Sequence, residues 1–542
     1  MSDRFARTAV RSLLFLSLSA CLLVGCSSPE VSRGAGSIPP GAPDTTPPTV
    51  SSTSPSNGAT GVSTGTVVRV TFSEPMSAAS INAATFTVNG VSGSVSLSGA
   101  VATFSPSSAL ASSTTFTATV LGGAPGAKDA AGNPLAADFS WTFTTGAPLA
   151  CASATVHCVD VNPGPSQEFT TIQAAVNAAQ AGDTVLVLDG TYSGFVVSRS
   201  GTQNGPITVK AAGNSAVINQ VNSVGEGIRV SNASFVTIEG FTLTGLPAYG
   251  LTARDATPAT PMHGVTFRNN TVTSSGSTNI YASEVADSLI EGNSTSNAGE
   301  HGIYLANGGS DNTVLRGNHC FNNAVNGIHL NGDASIGPGG DGLHKGITIE
   351  KNIIHDNAAN GLDLDGIQDS VIQNNLIYGN GNHAARAFQI DASAGPKNLA
   401  FVNNTFVQGN GNAVLKLTQD LGGHSFFNNI LVNDASGTSL VVANLSFQSN
   451  HNVVRGGFSL DGESSVISLP QWQAAGHDAN SLASTSAALF NNPGSDFTLK
   501  SGGPAANAGL ASFNSVSAPA DDLLGVARPQ GSGYDVGAYE SF

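Results

Sequence analysis

A short word of the form Gly-Ile-x-Leu recurs along the chain from residue 227 onward, and the residue at x is polar or aromatic. In a β-strand the two apolar residues of such a word point to one side and the residue at x points to the other. Aromatic rings can stack on sugar faces, while His, Asp and Lys side chains can move protons. The x positions therefore predict an outward stripe that binds a glycan and could act on it: Arg229, Thr252, Tyr281, Tyr304, His329, Asp363, Gln389 and Lys416.

A second word, an Asn followed by an apolar residue, indicates the elements that must position this stripe. Asn270 and Asn293 are 23 residues apart, and further copies follow at similar steps with insertions: Asn318, Asn352, Asn375, Asn404 and Asn429. A unit of this length cannot bury its apolar face alone, and stacked units of this kind are typical of a parallel β-solenoid. Cys320, two residues after its Asn, is then a buried filler and not a nucleophile. The large insertions all follow the strand of the first word, so we expect loops over one edge of the stripe.

The beginning and the end of the predicted solenoid region carry a family resemblance. Residues 169–176 (FTTIQAAV), 181–187 (AGDTVLV) and 190–192 (GTY) are similar to the capping helix and first strand of the right-handed parallel β-helix in the pectate-lyase-like superfamily. Residues 525–529 (GVARP) and 534–540 (YDVGAYE) resemble the tail of many bacterial members. The resemblance implies an all-β fold with a β-helix over residues 155–450 and a C-terminal tail or cap over 451–542. Because the superfamily contains lyases, hydrolases, epimerases and binding proteins, the fold alone does not settle the activity.

The resemblance and the loop residues together give a specific hypothesis for the site. Calcium-dependent pectate lyases need an Asp cluster and a Lys or Arg base, and hard cations prefer carboxylate oxygens. The catalytic candidates are His329, Asp363, Lys345 and Arg386. The substrate-binding candidates are Tyr281, Tyr304, Gln389, Lys416 and His344. The candidate ligands of a Ca2+ ion are Asp333, Asp341 and Asp365.

The absence of other family words narrows the reaction class. The Asn-Thr-Asp and Gly-His-Gly words of polygalacturonase-like hydrolases are absent from the β-helix, and so is the Asp-Pro-His word of alginate epimerases. If the protein is an enzyme, β-elimination of a uronic-acid glycan is the expected reaction. The alternative is a non-catalytic glycan-binding or adhesive surface protein. Since outward positions of any soluble solenoid are polar, the stripe could also be ordinary solvated surface.

The segment from residue 44 to 146 has a different pattern, with short alternating strands separated by Ser, Asn and Gly turns, as in a β-sandwich. The stretches 70–76 (VTFSEPM), 129–135 (DAAGNPL) and 141–145 (WTFTT) resemble the bacterial Ig-like domain of S-layer proteins. The resemblance implies a spacer or adhesive module without chemistry. Glu74 and Asp129 are therefore interpreted as turn residues.

The first residues are interpreted as a targeting signal. Arg4, Arg7 and Arg11 precede an apolar run that ends in residues 23–26 (LVGC), a pattern typical of a secretory signal that resembles the bacterial lipobox. Residues 1–26 are thus a predicted lipoprotein signal with Cys26 as the lipidated residue, followed by a flexible linker over 27–43. The expected location is the outer membrane, reached through the lipid anchor, with the protein facing either the cell surface or the periplasm. Cys151 and Cys158 are close enough to form a disulfide after export, although two free thiols are the alternative.

Composition excludes other classes. Of 542 residues only 10 % are charged, and 20 Lys and Arg against 36 Asp and Glu leave a net charge of −16. Such an acidic chain is not expected to bind nucleic acid, and it repels acidic glycans unless a cation or a local basic patch intervenes. Collagen, coiled coils and multi-span membrane proteins are excluded as well. A monomer is expected.

Overall fold

The computed structural model describes residues 45–541 except positions 63, 65, 109, 147–152, 162–168, 214, 258 and 336–340. The predicted signal peptide with Cys26, the linker over 27–43, and Cys151 lie outside the described residues. Cys158 is disulfide-bonded, and its pairing with Cys151 stays a prediction. Within the described part of the chain, no helix has both the length and the apolar character needed to span a bilayer.

The N-terminal domain is a β-sandwich, as predicted. One four-stranded sheet contains, in spatial order, Val50–Ser54, Val68–Phe72, Val101–Pro106 and Gly93–Ser98. The other contains Ala59–Val62, Phe139–Thr145, Thr115–Val120 and Phe86–Val88. Alternate residues of both sheets face a common core around Phe86, Phe104 and Trp141. Asp129 is a turn residue, because its carboxylate accepts hydrogen bonds from the backbone and side-chain N–H groups of Asn133.

The second domain is a parallel β-solenoid with three sheets. Sheet 1 has 12 strands among the described residues: Val156–Val159, Thr184–Val187, Ile207–Ala211, Val236–Glu239, Thr266–Arg268, Leu289–Glu291, Val314–Arg316, Thr348–Glu350, Val371–Gln373, Ala400–Val402, His424–Phe427 and Phe447–Asn450. Sheet 2 likewise has 12 described strands: Gly190–Ser193, Ala216–Gln220, Thr242–Thr244, Thr271–Thr273, Ser294–Ser296, His319–Phe321, Ile353–His355, Leu376–Tyr378, Thr405–Gln408, Ile430–Asn433, Val453–Arg455 and Leu482–Ala483.

Sheet 3, with 11 strands in the described ranges, carries the Gly-Ile-x-Leu words: Phe195–Val197, Ile228–Ser231, Leu251–Arg254, Ile280–Ser283, Ile303–Ala306, Ile328–Asn331, Leu362–Asp365, Ala385–Phe388, Leu415–Leu417, Thr438–Val441 and Gly457–Ser459. The insertions after sheet 3 add two short parallel pairs, Met262–His263 with Val285–Ala286 and His344–Lys345 with Ile367–Gln368. The loops therefore follow the predicted strand.

The interior confirms the predicted repeat. Ile303, Ile328 and Leu362 pair in register on successive coils and are fully buried. Cys320 lies between Thr295 and Ile354 in the neighbouring row. It is a free, buried thiol, and burial raises its pKa to about 12. Both observations agree with its predicted role as a buried packing residue.

The recurrent Asn residues form a continuous buried ladder. The Oδ1 of Asn352 accepts the backbone N–H of Asn318 at 2.8 Å, and its Nδ2 donates to Asn375 at 3.0 Å. The same link repeats along the stack through Asn270, Asn293, Asn318, Asn352, Asn375, Asn404, Asn429 and Asn452. Each amide thus satisfies a turn N–H that would otherwise be buried without a partner.

Both ends of the solenoid are closed by helices. Ile172–Ala178, capped by Thr171, covers the first coil. Leu469–Ala474 places Trp472 in the same core at the other end, followed by the short helix Ser486–Leu489. The strands Val453–Arg455 and Leu482–Ala483 continue past the predicted boundary at residue 450, because the intervening helix hides the repeat in the sequence. The hairpins Phe490–Asn492 with Asp496–Leu499, and Ser512–Phe513 with Val516–Ser517, belong to the tail, which packs on the outer sides of sheets 1 and 2.

Candidate functional site

The outward positions of sheet 3 form one ladder of side chains. Tyr304 pairs with Tyr281 on one coil and with His329 on the next. His329 pairs with Asp363, and Asp363 pairs with the strand that follows it. We call this set the sheet-3 ladder, and its members in order are Tyr281, Tyr304, His329, Asp363, Arg386 and Lys416.

One predicted member was wrong. The alternation of apolar and polar residues over 387–390 predicts Gln389 on the stripe, but the strand is Ala385–Phe388 and its outward residue is Arg386. The two registers differ because small Ala residues fill the inward positions of this coil, so the apolar pattern is weak. Gln389 follows the strand, and its side-chain amide donates to the carbonyl of Ala392 at 3.0 Å. Lys416 pairs with Arg386 and so occupies its predicted place.

The first half of the ladder is an aromatic surface. The ring centroids of Tyr281 and Tyr304 are 5.4 Å apart, and those of Tyr304 and His329 are 4.7 Å apart. Two residues outside the predicted stripe extend this surface. Tyr249 lies 5.2 Å from Tyr281, and His301 lies 5.1 Å from Tyr304 and 4.7 Å from His329. Both immediately precede the Gly of a Gly-Ile-x-Leu word, which is the signal that could have found them.

His329 is held by the next coil. Its Nδ1 lies 3.1 Å from the backbone carbonyl oxygen of Asp363 and 3.3 Å from the carboxylate of the same residue. Both partners are acceptors, so the proton of the neutral ring resides on Nδ1, and Nε2 keeps its lone pair. This arrangement gives His329 the form that a general base requires.

Asp363 is a buried carboxylate with a full set of donors. The side-chain amides of Asn326 and Asn360 donate to it at 3.0 and 3.1 Å. Arg386 binds it through Nε and, at 3.4 Å, through Nη2. Burial raises the pKa of Asp363, but the hydrogen bonds from His329 and Arg386 outweigh burial, and the pKa lies below its usual value. Asp363 is therefore ionised at neutral pH. It holds both the imidazole of His329 and the guanidinium of Arg386 in place.

Burial sets the protonation states of the aromatic members. Burial, followed by repulsion from His329, lowers the pKa of His301 to about 3, so its imidazole is neutral. Its Nδ1 is buried and has no hydrogen-bond partner within the described chain. Burial also raises the pKa of Tyr304, with a smaller contribution from Tyr281. The Tyr304 phenol therefore keeps its proton and can donate it.

Three other predicted site residues are buried or already paired within the chain. His344 is fully buried, so its assignment as a substrate-binding residue was wrong, because the short pair with Ile367–Gln368 turns it inward. Lys345 lies on that same pair and forms an ion pair with Asp341. Lys416 forms an ion pair with Glu463 at 2.6 Å. Of the two cationic catalytic candidates, Lys345 and Arg386, Arg386 is the one that lies on the ladder.

The three predicted calcium ligands do not fit a calcium site. The carboxylate of Asp365 is buried and accepts the backbone N–H groups of Ile390 and Asp391 at 3.0 and 2.9 Å. Asp341 is paired with a lysine, and Asp333 accepts two bonds from Ser335. Over the described ranges, no group of three or more His, Cys, Asp or Glu side chains is arranged to hold a metal ion. At least one oxygen of each of these carboxylates is thus engaged within the chain.

Comparison with known proteins agrees with this architecture. Residues 44–145 match the family model of the bacterial Ig-like domain, and residues 205–339 match that of the right handed beta helix region. The chain joins a bacterial Ig-like domain to a right-handed β-helix. No curated protein matches the sequence.

Several solved structures are similar to this Ig-like and β-helix chain. Pectate lyase Pel9A shares 17 % identity, with 73 % of this chain and 98 % of that chain covered and a TM-score of 0.47. The complex of XylC with xylose shares 13 % identity over 71 % and 98 % of the two chains, with a TM-score of 0.45. The alginate lyase from Paenibacillus sp. str. FPU-7 shares 19 % identity over 54 % and 95 %, with a TM-score of 0.36.

Proposed function

We propose that the sheet-3 ladder binds a uronic-acid polysaccharide and cleaves it by β-elimination. The observation that carries this proposal is the contact between the imidazole of His329, whose Nδ1 faces an acceptor, and a phenol that keeps its proton, Tyr304. An elimination next to a carboxylate needs these two groups, one to remove a proton and one to protonate the leaving oxygen.

The ladder is long enough for a chain of sugars. Neighbouring coils of a β-helix are about 4.8 Å apart, so the five steps from Tyr281 to Lys416 span roughly 24 Å. The aromatic half, from Tyr249 to His329, offers rings for stacking. The polar half offers a carboxylate and two cations. A glycan that lies along the ladder would therefore contact rings at one end and charged groups at the other.

The reaction can be written with the residues present. Nε2 of His329 takes the proton from C5 of the uronate, and the C–H electron pair becomes the C4–C5 double bond. The bond from C4 to the bridging oxygen breaks, and the Tyr304 phenol gives that oxygen its proton. Water can then return the proton from the imidazolium to the phenolate. Asp363 acts as a positioning residue, because it touches His329 and Arg386 and holds the imidazole tautomer.

Arg386 is the group suited to the substrate carboxylate. A guanidinium has five N–H donors, and Arg386 uses Nε and Nη2 on Asp363. Its Nη1 donors remain for a ligand, and the guanidinium lies 4.1 Å from the ring centroid of Phe388, which holds it in place. A carboxylate bound there would be neutralised beside the reacting C5 atom, which lowers the barrier to proton removal.

The test is a cleavage assay on a panel of uronate polymers, read as the absorbance of the unsaturated product. We expect cleavage of at least one polymer by the full chain, and loss of cleavage in His329→Ala but not in the control Glu239→Gln, which alters sheet 1. We also expect activity to persist with a chelator, since the predicted calcium ligands are engaged. Binding without cleavage of any polymer would overturn the enzymatic proposal and favour the adhesive alternative. Loss of activity on chelation would instead restore the calcium prediction.

A further inference from the structure

A pair of histidines on the outer face of sheet 2 has no part in the proposed reaction. His319 and His355 lie on adjacent coils, and their Nε2 atoms are 2.8 Å apart. The Nδ1 of His355 makes a hydrogen bond of 2.8 Å with the carboxylate of Asp356. The two imidazoles therefore direct the same nitrogen at one point between the coils.

We propose that His319 and His355 bind a first-row divalent cation of the zinc, copper or nickel type at this point. These cations prefer imidazole nitrogen. For two nitrogens each about 2.0–2.1 Å from an ion, the nitrogens are roughly 2.9 to 3.4 Å apart at angles from a right angle to tetrahedral. The observed separation of 2.8 Å reaches that range with a small rotation of either ring. Two protein ligands leave the remaining positions to water.

The hydrogen-bond chemistry of the pair supports a ligand role. Asp356 is an acceptor, so it holds the proton of His355 on Nδ1 and leaves a lone pair on Nε2. A carboxylate behind an imidazole in this way is the usual support of a metal-binding histidine. In the metal-free protein the contact is attractive only if Nε2 of His319 carries a proton. Transfer of that proton to Nδ1 through water leaves two lone pairs that converge on one cation.

The rings are also fixed in orientation before any ion binds. The His355 ring is sandwiched between Phe321 and Tyr378, with centroid distances of 5.3 and 4.7 Å and interplanar angles of 11° and 8°. The His319 ring also stacks on Phe321, with a centroid distance of 4.4 Å. Little side-chain entropy is then lost on binding. A cation held here would link two coils and stabilise the folded chain by mass action.

The test is a titration of the metal-free full chain with ZnCl2, CuCl2 or NiCl2 alone, followed by calorimetry and by the melting temperature. We expect one saturable site and a rise in the melting temperature, both lost in His319→Ala and in His355→Phe. His355→Phe keeps the ring stack with Phe321 and Tyr378, so its loss of binding cannot be ascribed to unfolding. Asp356→Asn is expected to weaken binding by about tenfold.

The control is His263→Ala, which removes a histidine from the short parallel pair of Met262–His263 with Val285–Ala286. It should retain the site in full. Absence of saturable binding by all three cations would overturn the proposal. An unchanged stoichiometry and affinity in both His319→Ala and His355→Phe would overturn it as well, because the cation would then reside elsewhere. Neither result depends on whether the sheet-3 ladder cleaves a glycan.

Discussion

His329 and Asp363 are 34 residues apart in the sequence and face each other on adjacent coils, with Nδ1 of the histidine 3.3 Å from the carboxylate. Asp363 also receives Arg386 from the following coil. One buried carboxylate thus joins three successive coils and sets the orientation of the imidazole and the guanidinium. The proposed chemistry depends on this relationship.

The catalytic prediction concerns His329 and its positioning residue. Replacing His329 by Ala should lower kcat by roughly 10²–10⁴-fold, the usual contribution of a general base. Asp363→Asn should lower kcat by a smaller factor and alter the pH profile, because the amide can hold either imidazole tautomer. Both are measured as steady-state kinetics on the best polymer of the panel. Glu239→Gln and Glu291→Gln on sheet 1 are the controls, and equal, small effects at all four positions would show the ladder to be ordinary solvated surface.

The ladder tyrosines should separate binding from chemistry. Tyr281→Ala removes a ring from the aromatic surface and should weaken glycan binding by roughly 3- to 10-fold, the value of an aromatic contact. Tyr304→Phe keeps the ring and removes the proton donor, so kcat should fall while KM changes little. Tyr534→Phe in the tail is the matched control. A Tyr304→Phe enzyme with unchanged kcat would exclude the phenol as the acid.

Stability should decline on acidification through a buried histidine. Burial lowers the pKa of His344 to about 4, whereas an unfolded histidine has a pKa near 6.5. Between about pH 6.5 and pH 4 the unfolded chain therefore binds more protons than the folded chain, and stability falls as the pH falls. The loss at about pH 5 is roughly 2 kcal/mol from this residue. Denaturant titrations at about pH 7 and pH 5 measure it, and His344→Leu should show a smaller difference between the two; an unchanged difference would contradict the assignment.

The asparagine ladder should be essential for stability. Asn352 is fully buried and accepts from Asn318 while donating to Leu315 and Asn375. Asn352→Ala leaves several buried groups without partners, at about 1–3 kcal/mol each. The expected result is a large fall in the melting temperature. The exposed Asn382 is the control, where Ala should change stability by less than about 0.5 kcal/mol.

The location stays a prediction from the sequence. Cys26 ends the apolar run of the first residues, so we propose that it carries the lipid of an outer-membrane lipoprotein. Cys26→Ser should move the protein from the membrane fraction to the soluble fraction of the cell envelope. An unmodified N-terminus in the parent protein, read by mass spectrometry, would contradict this.

The sequence was sufficient for the fold because solenoids repeat local rules. Each coil needs the same inward apolar row and the same turn amide, so Asn318 and Cys320 have counterparts in Asn352 and Ile354, which are also two residues apart. The outward positions Tyr304, His329 and Asp363 followed from the same register. Where the repeat was weak, at Ala385–Phe388, the prediction failed for Gln389.

The tertiary structure alone decided the chemistry of the site. The number of residues between two positions does not give the distance between side chains on different coils. The contacts of Asp363 with Asn326, Asn360 and Arg386 were therefore not predictable. The same holds for the burial that keeps His301 neutral. Loop conformation decided the rest, because the insertion that turns His344 inward and pairs Lys345 with Asp341 follows no repeat. Periodic backbone constraints determine strands, whereas irregular turns and non-local packing determine which polar groups remain available for a ligand.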